Sequence, residues 1–465
     1  MKLNKIFSWL FAGLMAISAS TLTSCEDQPD KFELTGGVPT VNYIRMPYLS
    51  QADSLLDKAS LSSVICLVGN NLTSIKELYF NDQKAQLNTS YITDHTMIVQ
   101  IPATIPADVT DKIYMVTRDG EKVDYDFKVV VPAPNPTSMS CEYAKPGSEV
   151  TFYGNYFVDD PNVPLKVTCP DGSVVTDFKS ITQSAISFIL PESCNTEGAF
   201  KVETLYGETE TSFHYLDSRG MLFDFDTPWD GVNVLGNHGW HKRDIVEDKT
   251  SLKGKYVQLG DGNKVMTSDG GWEDNFFSFE YWAGSWDEPQ HVMSGDGVAL
   301  YNVADFTHFA NMSLKFEMYV PSSNPWNAGG MQISFMGYDK VTLNGETGGD
   351  GKPVDDTSYD GYVSGPNAFV FNGAGKRNKK EETYGRAIYR PWQSTGTFDT
   401  ANEWITVTIP LSSFNLDNKG NATTNLPNKI TDFASLTMFV VGGGVNGTEC
   451  KPIIKIDNIR VVPNK

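Results

Sequence analysis

From residue 38 onward the apolar residues fall in short alternating or continuous runs, broken every few positions by Gly, Pro, Asn or Asp. No long segment carries a 3.6-residue period. This patterning points to sandwiches or barrels of short strands, so the fold class is all-β. Individual strands can be placed. Leu314, Phe316, Met318 and Val320 are expected to face inward, with Ser313, Lys315, Glu317 and Tyr319 outward. Ile405, Val407 and Ile409 form a second inward set. Met438 to Val441 reads as a buried central strand ended by Gly442-Gly443-Gly444, and the chain closes on Ile454, Ile456, Ile459 and Val461. A domain with strands from its first to its last residues fits a jelly roll, whose final strand returns beside the first.

Two segments repeat one motif, a strand followed by Gly-Asn-x-apolar. One is Val64 to Leu72 (VICLVGNNL) and the other Glu149 to Phe157 (EVTFYGNYF). The two glycines, Gly69 and Gly154, are expected to take positive φ at a tight turn, with the apolar residue tucked under the sheet. Their separation is about the length of one immunoglobulin-like sandwich. The motif resembles the IPT/TIG immunoglobulin-like fold of surface proteins. The expected organisation is two tandem Ig-like spacer domains, 38–132 and 133–216, joined at Pro132-Ala133-Pro134-Asn135-Pro136, then a larger jelly-roll-like β-sandwich over 217–465. The 465 residues, at roughly 150 per domain, allow three such units.

The N-terminus reads as an address. Lys2 and Lys5 precede an apolar run from Ile6 to Ile17, which is shorter than the roughly 20 residues needed to span a bilayer. Leu22-Thr23-Ser24-Cys25 resembles the lipobox of bacterial lipoproteins. That resemblance implies a signal peptide over 1–24, lipidation of Cys25 and a polar tether over 25–37. Acidic Glu26 and Asp27 directly after the cysteine point to the outer leaflet of the outer membrane. The net charge of −20, from 37 basic and 57 acidic residues, argues against a nucleic-acid partner. Of the remaining cysteines, Cys66 reads as a small buried hydrophobe, and Cys169 and Cys194 share a domain and are able to pair. No catalytic residue, cofactor or metal is expected. His238 and His241 sit in a Gly-rich stretch, and Asp224, Asp226 and Asp457 read either as strand-edge acids or as ligands of a structural calcium.

Residues 38–216 lack tryptophan, whereas 217–465 hold Trp229, Trp240, Trp272, Trp282, Trp286, Trp326, Trp392 and Trp404. Trp240 and Trp404 fit core positions. Trp286, Trp326, Tyr362 and Trp392 lie in segments rich in Gly, Pro and Asn, beside Asn327, Gln393 and Arg390. Aromatic faces with a polar rim suit a pyranose ring. Covering ~100 Å² of ring at ~25 cal/mol/Å² contributes roughly 2.5 kcal/mol per platform. Set against an association cost of ~4–15 kcal/mol, several platforms give weak binding. The expected glycan-binding set is therefore Trp326, Tyr362, Trp392 and Trp286, with Asn327, Gln393 and Arg390 on the rim. Trp272, Trp282 and Tyr389 stand next in line.

The order of lipobox, Pro-joined Ig-like repeats and Trp-rich C-terminal β domain resembles the B-type surface glycan-binding proteins of starch-utilisation-type polysaccharide loci. The shared segments are Phe223-Asp224-Phe225-Asp226, Gly239-Trp240, Trp404 to Leu411 and Ile456 to Val461. The resemblance implies a non-catalytic, outer-membrane, lipid-anchored protein that captures a plant-type β-glycan such as xyloglucan, mixed-linkage β-glucan or β-mannan. It also implies an outer-membrane transporter and a surface endo-glycanase as partners. The alternatives are a surface glycoside hydrolase and an adhesin for a protein partner. Against the first, no Glu is followed two residues later by Asp, and no G-x-S-x-G or H-E-x-x-H occurs.

Overall fold

The computed structural model describes residues 34–227, 243–281, 298–336 and 385–464, with 35, 244, 273, 418, 424 and 425 excepted. The chain forms two compact units, residues 1–132 and 133–465. The described residues are all-β; a four-residue α-turn at Asp274–Phe277 and short 3-10 turns are the helical elements among them.

In the first unit, Thr40–Arg45, Val64–Asn70 and Thr96–Gln100 form one sheet. Gln83–Lys84, Ile75–Phe80, Lys112–Thr117 and Lys122–Asp126 form a second, and Lys58–Ser60 pairs in parallel with Lys128–Val130. Ile65, Cys66, Leu67, Leu78 and Ile113 are buried in this unit. The second sandwich repeats the plan. Asn135–Met139, Glu149–Asn155, Ala185–Ile189 and Phe178–Ile181 oppose Lys166–Thr168, Gly198–Thr204 and Gly207–Tyr215. Phe152 is the hub of its core, edge-on to Phe188, Phe200 and Phe213 at 5.0, 4.9 and 5.1 Å.

The repeated glycines serve a different purpose from the one expected. Neither Gly69 nor Gly154 has positive φ; that conformation falls two residues later, at Asn71 (φ 56°) and Tyr156 (φ 62°). Each glycine instead meets a bulge in the strand that opens its sandwich. A Cβ on Gly69 would lie 1.8 Å from the Thr40 carbonyl oxygen, and one on Gly154 would lie 2.2 Å from that of Asn135. The residue type is required by close backbone approach rather than by handedness. The apolar residues that follow, Leu72 and Phe157, are buried as expected.

The larger domain packs two sheets. Ile245–Val246, Tyr256–Leu259, Ile454–Pro463, Met312–Tyr319 and Ile405–Pro410 lie in that order, and Met221–Phe223 also pairs with Ile454–Pro463. The last strand thus returns to the first. The facing sheet is Ser278–Tyr281, Ser435–Val441, Gly330–Met336 and Ala387–Tyr389. Ser435–Val441 is internal and wholly buried, as its composition suggests. In the last strand a bulge at Asn458 (φ 48°) shifts the inward phase from Ile454 and Ile456 to Ile459 and Val461.

The same bulge places Arg460 on the outer face, where it is fully buried. Its guanidinium donates to Glu317 Oε2 at 2.8 Å, to Glu142 Oε2 at 2.7 Å and to the Asn458 carbonyl at 2.8 Å, and it lies 4.9 Å above the Tyr143 ring. Lys315 Nζ donates to Glu142 Oε1 at 2.5 Å. Thr406 Oγ1 donates to Glu317 at 2.9 Å and accepts from the Glu142 backbone N–H at 2.7 Å. Glu142 and Tyr143 belong to the second sandwich, so this network welds that sandwich to the larger domain. Lys315 and Glu317, expected to face solvent, are 8% and 0% exposed. Alternation identifies a polar face correctly. It does not reveal that oppositely charged partners from another module cover it.

Two outcomes follow. Removing one partner of a buried ion network leaves its counter-charges uncompensated, at a cost of about 3–5 kcal/mol. Arg460→Ala should therefore lower stability by that amount in denaturant titration. Burial, with Glu317, Asp226 and Asp224 nearby, pushes the Asp457 carboxyl up to about 9. The folded state then keeps a proton that the unfolded chain has lost. Stability should fall as pH rises from about 4 through 9, by up to about 1.4 kcal/mol per pH unit from this group. Asp457→Asn should flatten that slope in urea melts recorded across the range.

Candidate functional site

The four-stranded sheet of the larger domain turns one face to the core and carries a largely buried polar row on the other. Phe279, Met438, Ile333 and Ala387 belong to the core face. On the opposite face Ser278, Phe439, Gln332 and Ile388 stand in register across four strands, with Glu280, Thr437 and Ser334 in the next row. The Gln332 amide donates to the Gly442 carbonyl at 2.7 Å, and its oxygen accepts from Arg386 at 2.8 Å. Arg243 donates to the Ser278 carbonyl at 2.7 Å and to its hydroxyl at 3.2 Å. Arg390 donates to the Gly443 carbonyl, and among the described residues its buried Nε has no hydrogen-bond partner. Burial lowers the Arg390 pKa but leaves the group cationic.

Against this row stands Trp272, 51% exposed and stacked on Phe439 with ring centroids 5.6 Å apart and planes 29° apart. The turn before it is fixed. Gly270 and Gly271 both have positive φ, the Gly442 N–H donates to the Gly271 carbonyl at 3.1 Å, and Asp269 accepts from the Thr267 hydroxyl and the Gly271 N–H. A Cβ on Gly270 would lie 2.6 Å from the Gly329 Cα. Phe276, 39% exposed, lies on the same segment with Lys264 Nζ 5.1 Å from its ring centroid. A braced, half-exposed indole, with a second open ring on the same segment, is able to stack on a sugar face, and nearby polar groups can read its hydroxyls.

The sequence placed two tryptophans wrongly. Trp326 is 0% exposed and Trp392 3%, both within the main core cluster. Trp326 Nε1 donates to the Ala328 carbonyl at 2.6 Å and Trp392 Nε1 to the Gly329 carbonyl at 2.7 Å. Trp326 also bridges Phe398 through both backbone groups. Small residues let backbone close over these rings: a Cβ on Gly447 would sit 2.9 Å from the Trp392 indole. Glycine-rich loops thus gave the indoles neighbours rather than exposing them. Asn327 is half-buried and Gln393 exposed. Trp286, Tyr362, Trp282, Trp240, His238 and His241 lie outside the described residues. Trp404 is structural, packed on Tyr256 and Tyr319, with Nε1 donating to the Thr250 carbonyl at 2.6 Å.

Among the described residues, two groups of three or more metal-ligating side chains have ligand atoms within 4.8 Å of one another: Cys169, Asp171 and Cys194, and Glu197, His214 and Asp217. Asp224, Asp226 and Asp457 do not form a third. In the second group Arg219 already pairs with both Asp217 oxygens at 2.8 Å, and Ser218 binds both Glu197 oxygens. A cavity of about 840 Å³ lined by Tyr143, Lys145, Glu197, Asp224, Asp226 and Asn458 lies where the second sandwich meets the larger domain. The hydroxyls of Tyr143 and of the neighbouring Tyr215 are committed to backbone carbonyls.

Residues 215–463, more than half of the chain, match the family model described as the surface glycan-binding protein B xyloglucan binding domain. The chain belongs to the surface glycan-binding protein B family. It is similar to the crystal structure of surface glycan-binding protein PbSGBP-B from Prevotella bryantii, with 46% identity and a TM-score of 0.73. That match covers 93% of this chain and 100% of the other. An IPT/TIG domain-containing protein of Bacteroides ovatus is 27% identical over 216 residues, so the chain spans 43% of the length of this curated relative, and the match takes in 43% of the chain. Members of the family are cell-surface glycan binders.

Trp326→Ala and Trp392→Ala should each destabilise the larger domain by about 3–5 kcal/mol, as large core deletions do. Trp272→Ala should leave the melting temperature nearly unchanged. Thermal melts of the three variants check this division.

Proposed function

We propose that this chain is a non-catalytic, lipid-anchored outer-membrane protein that captures a neutral plant-type β-glycan at the Trp272 edge of its four-stranded sheet. The observation that carries the reading is the braced, half-exposed Trp272 stacked on Phe439, with Phe276 exposed on the same segment. Trp272 is the primary platform and Phe276 the second, with Arg390 on the rim and Asn327 and Gln393 farther out. Trp286 and Tyr362, outside the described residues, stay in the proposed binding set. They belong to the segments that follow Tyr281 and that connect Met336 to Ala387, which are strand ends of this same sheet.

The glycan class comes from the family, whose model is described by xyloglucan binding. Xyloglucan is therefore the first candidate, with mixed-linkage β-glucan and β-mannan next. Anchoring through Cys25 and hand-off to an outer-membrane transporter and a surface endo-glycanase complete the proposal. The Ig-like domains serve as spacers.

Affinity electrophoresis against a panel of neutral polysaccharides tests it. The full chain should be retarded by xyloglucan or another β-glucan and release no reducing sugar. Trp272→Ala should weaken binding by about 1–3 kcal/mol. Normal binding by that variant would place the site elsewhere, and sugar release would favour a hydrolase.

A further inference from the structure

We infer that Cys169 and Cys194 form a disulfide that pins the second sandwich. Cys169 ends the strand Lys166–Thr168 and opens a hairpin, with its N–H bonded to the Ser173 carbonyl at 2.8 Å and its own carbonyl accepting from Gly172 at 2.9 Å. Cys194 closes a turn in which its N–H donates to the Pro191 carbonyl at 2.9 Å. The two thiols come from segments far apart in sequence. They nevertheless lie within 4.8 Å of each other, at 4% and 0% exposure. Cys66, Cys141 and Cys450 are also buried free thiols, but none joins a ligand cluster with another cysteine among the described residues.

The pair is chemically asymmetric. A hydrogen bond from the Cys194 thiol favours the Cys169 thiolate and lowers its pKa, while the same contact and burial raise that of Cys194. That asymmetry belongs to the packed pair; before it forms, either cysteine can be the attacking sulfur, Cys169 for example. Its thiolate displaces one thiol from an external disulfide such as oxidised glutathione, forming a mixed disulfide. The Cys194 thiolate then attacks Cys169 Sγ and expels the second thiol. Two protons and two electrons pass from the cysteines to the two released thiols. Because neither sulfur is open to solvent in the folded chain, exchange belongs to the folding stage, and the finished bond is shielded from reductants.

A zinc ion is the competing occupant, since Asp171 completes a set of three ligands. The structure favours the disulfide. The Asp171 carboxylate is already bonded to the Ser173 N–H at 3.0 Å and its hydroxyl at 2.6 Å, and no fourth Cys, His, Asp or Glu joins the group among the described residues.

The test is peptide mapping of the full chain, isolated under an alkylating agent and, separately, refolded with oxidised glutathione. The expected result is a cross-linked pair of peptides containing Cys169 and Cys194, gaining about 2 Da on reduction. Reduction should lower the melting temperature of the unit by roughly 5–10 °C. Cys66→Ser should leave the cross-link in place, and Cys194→Ser should leave Cys169 open to alkylation after denaturation. Alkylation of both thiols in both preparations, a cross-link to Cys141 instead, or one equivalent of zinc retained with both thiols reduced would each overturn the inference.

Discussion

Arg460 sits where three demands meet. It must leave the core face of the last strand, cover the outer face of the central sheet and neutralise two glutamates that no water reaches. The bulge at Asn458 meets the first demand by shifting the strand's phase. The second sandwich meets the others by bringing Glu142 and Tyr143 over it. Two acids and two bases, Glu142 and Glu317 with Lys315 and Arg460, make the cluster neutral in sum. Isolated, any of these charges would be costly to bury. Together they form a joint that aligns one Ig-like module with the glycan-binding domain. A fragment beginning at residue 217 would lack Glu142 and expose the network, so fragments meant to keep the domain intact should begin near residue 133.

Much of the architecture was legible. Short alternating runs gave the β class, the two Gly-Asn-x-apolar motifs gave the repeated sandwich, and Ile454 to Val461 gave the returning strand. These signals depend on apolar spacing, which burial enforces directly. Meanings tied to partners far away in sequence were not legible. Lys315 and Glu317 read as solvent-facing because the sequence shows alternation without showing Glu142 opposite. Gly69 and Gly154 look like turn glycines in the sequence, whereas the space they leave is taken by the backbone of the opening strand.

The tryptophans show the same limit more sharply. By local composition Trp326 and Trp392 suit a binding surface, because Gly, Pro and Asn surround them. Those small residues allow carbonyls of Ala328 and Gly329 to reach the indole nitrogens and the chain to close over the rings. Trp272 carried a similar local composition, yet its ring rests on Phe439 and keeps half its surface open. The one usable hint was position. Trp272 follows the tight pair Gly270-Gly271, which fixes a ring at a sheet edge, and precedes a segment with a second open ring, Phe276.

In the proposed function, glycan meets the chain at the Trp272 edge of the four-stranded sheet. Hydrogen exchange of the full chain with and without a xyloglucan oligosaccharide measures this directly. Added protection is expected in 264–281 and around Gly442 and Gly443, with both Ig-like sandwiches unchanged. Protection confined to either sandwich, or none near Trp272 under saturating oligosaccharide, would contradict it.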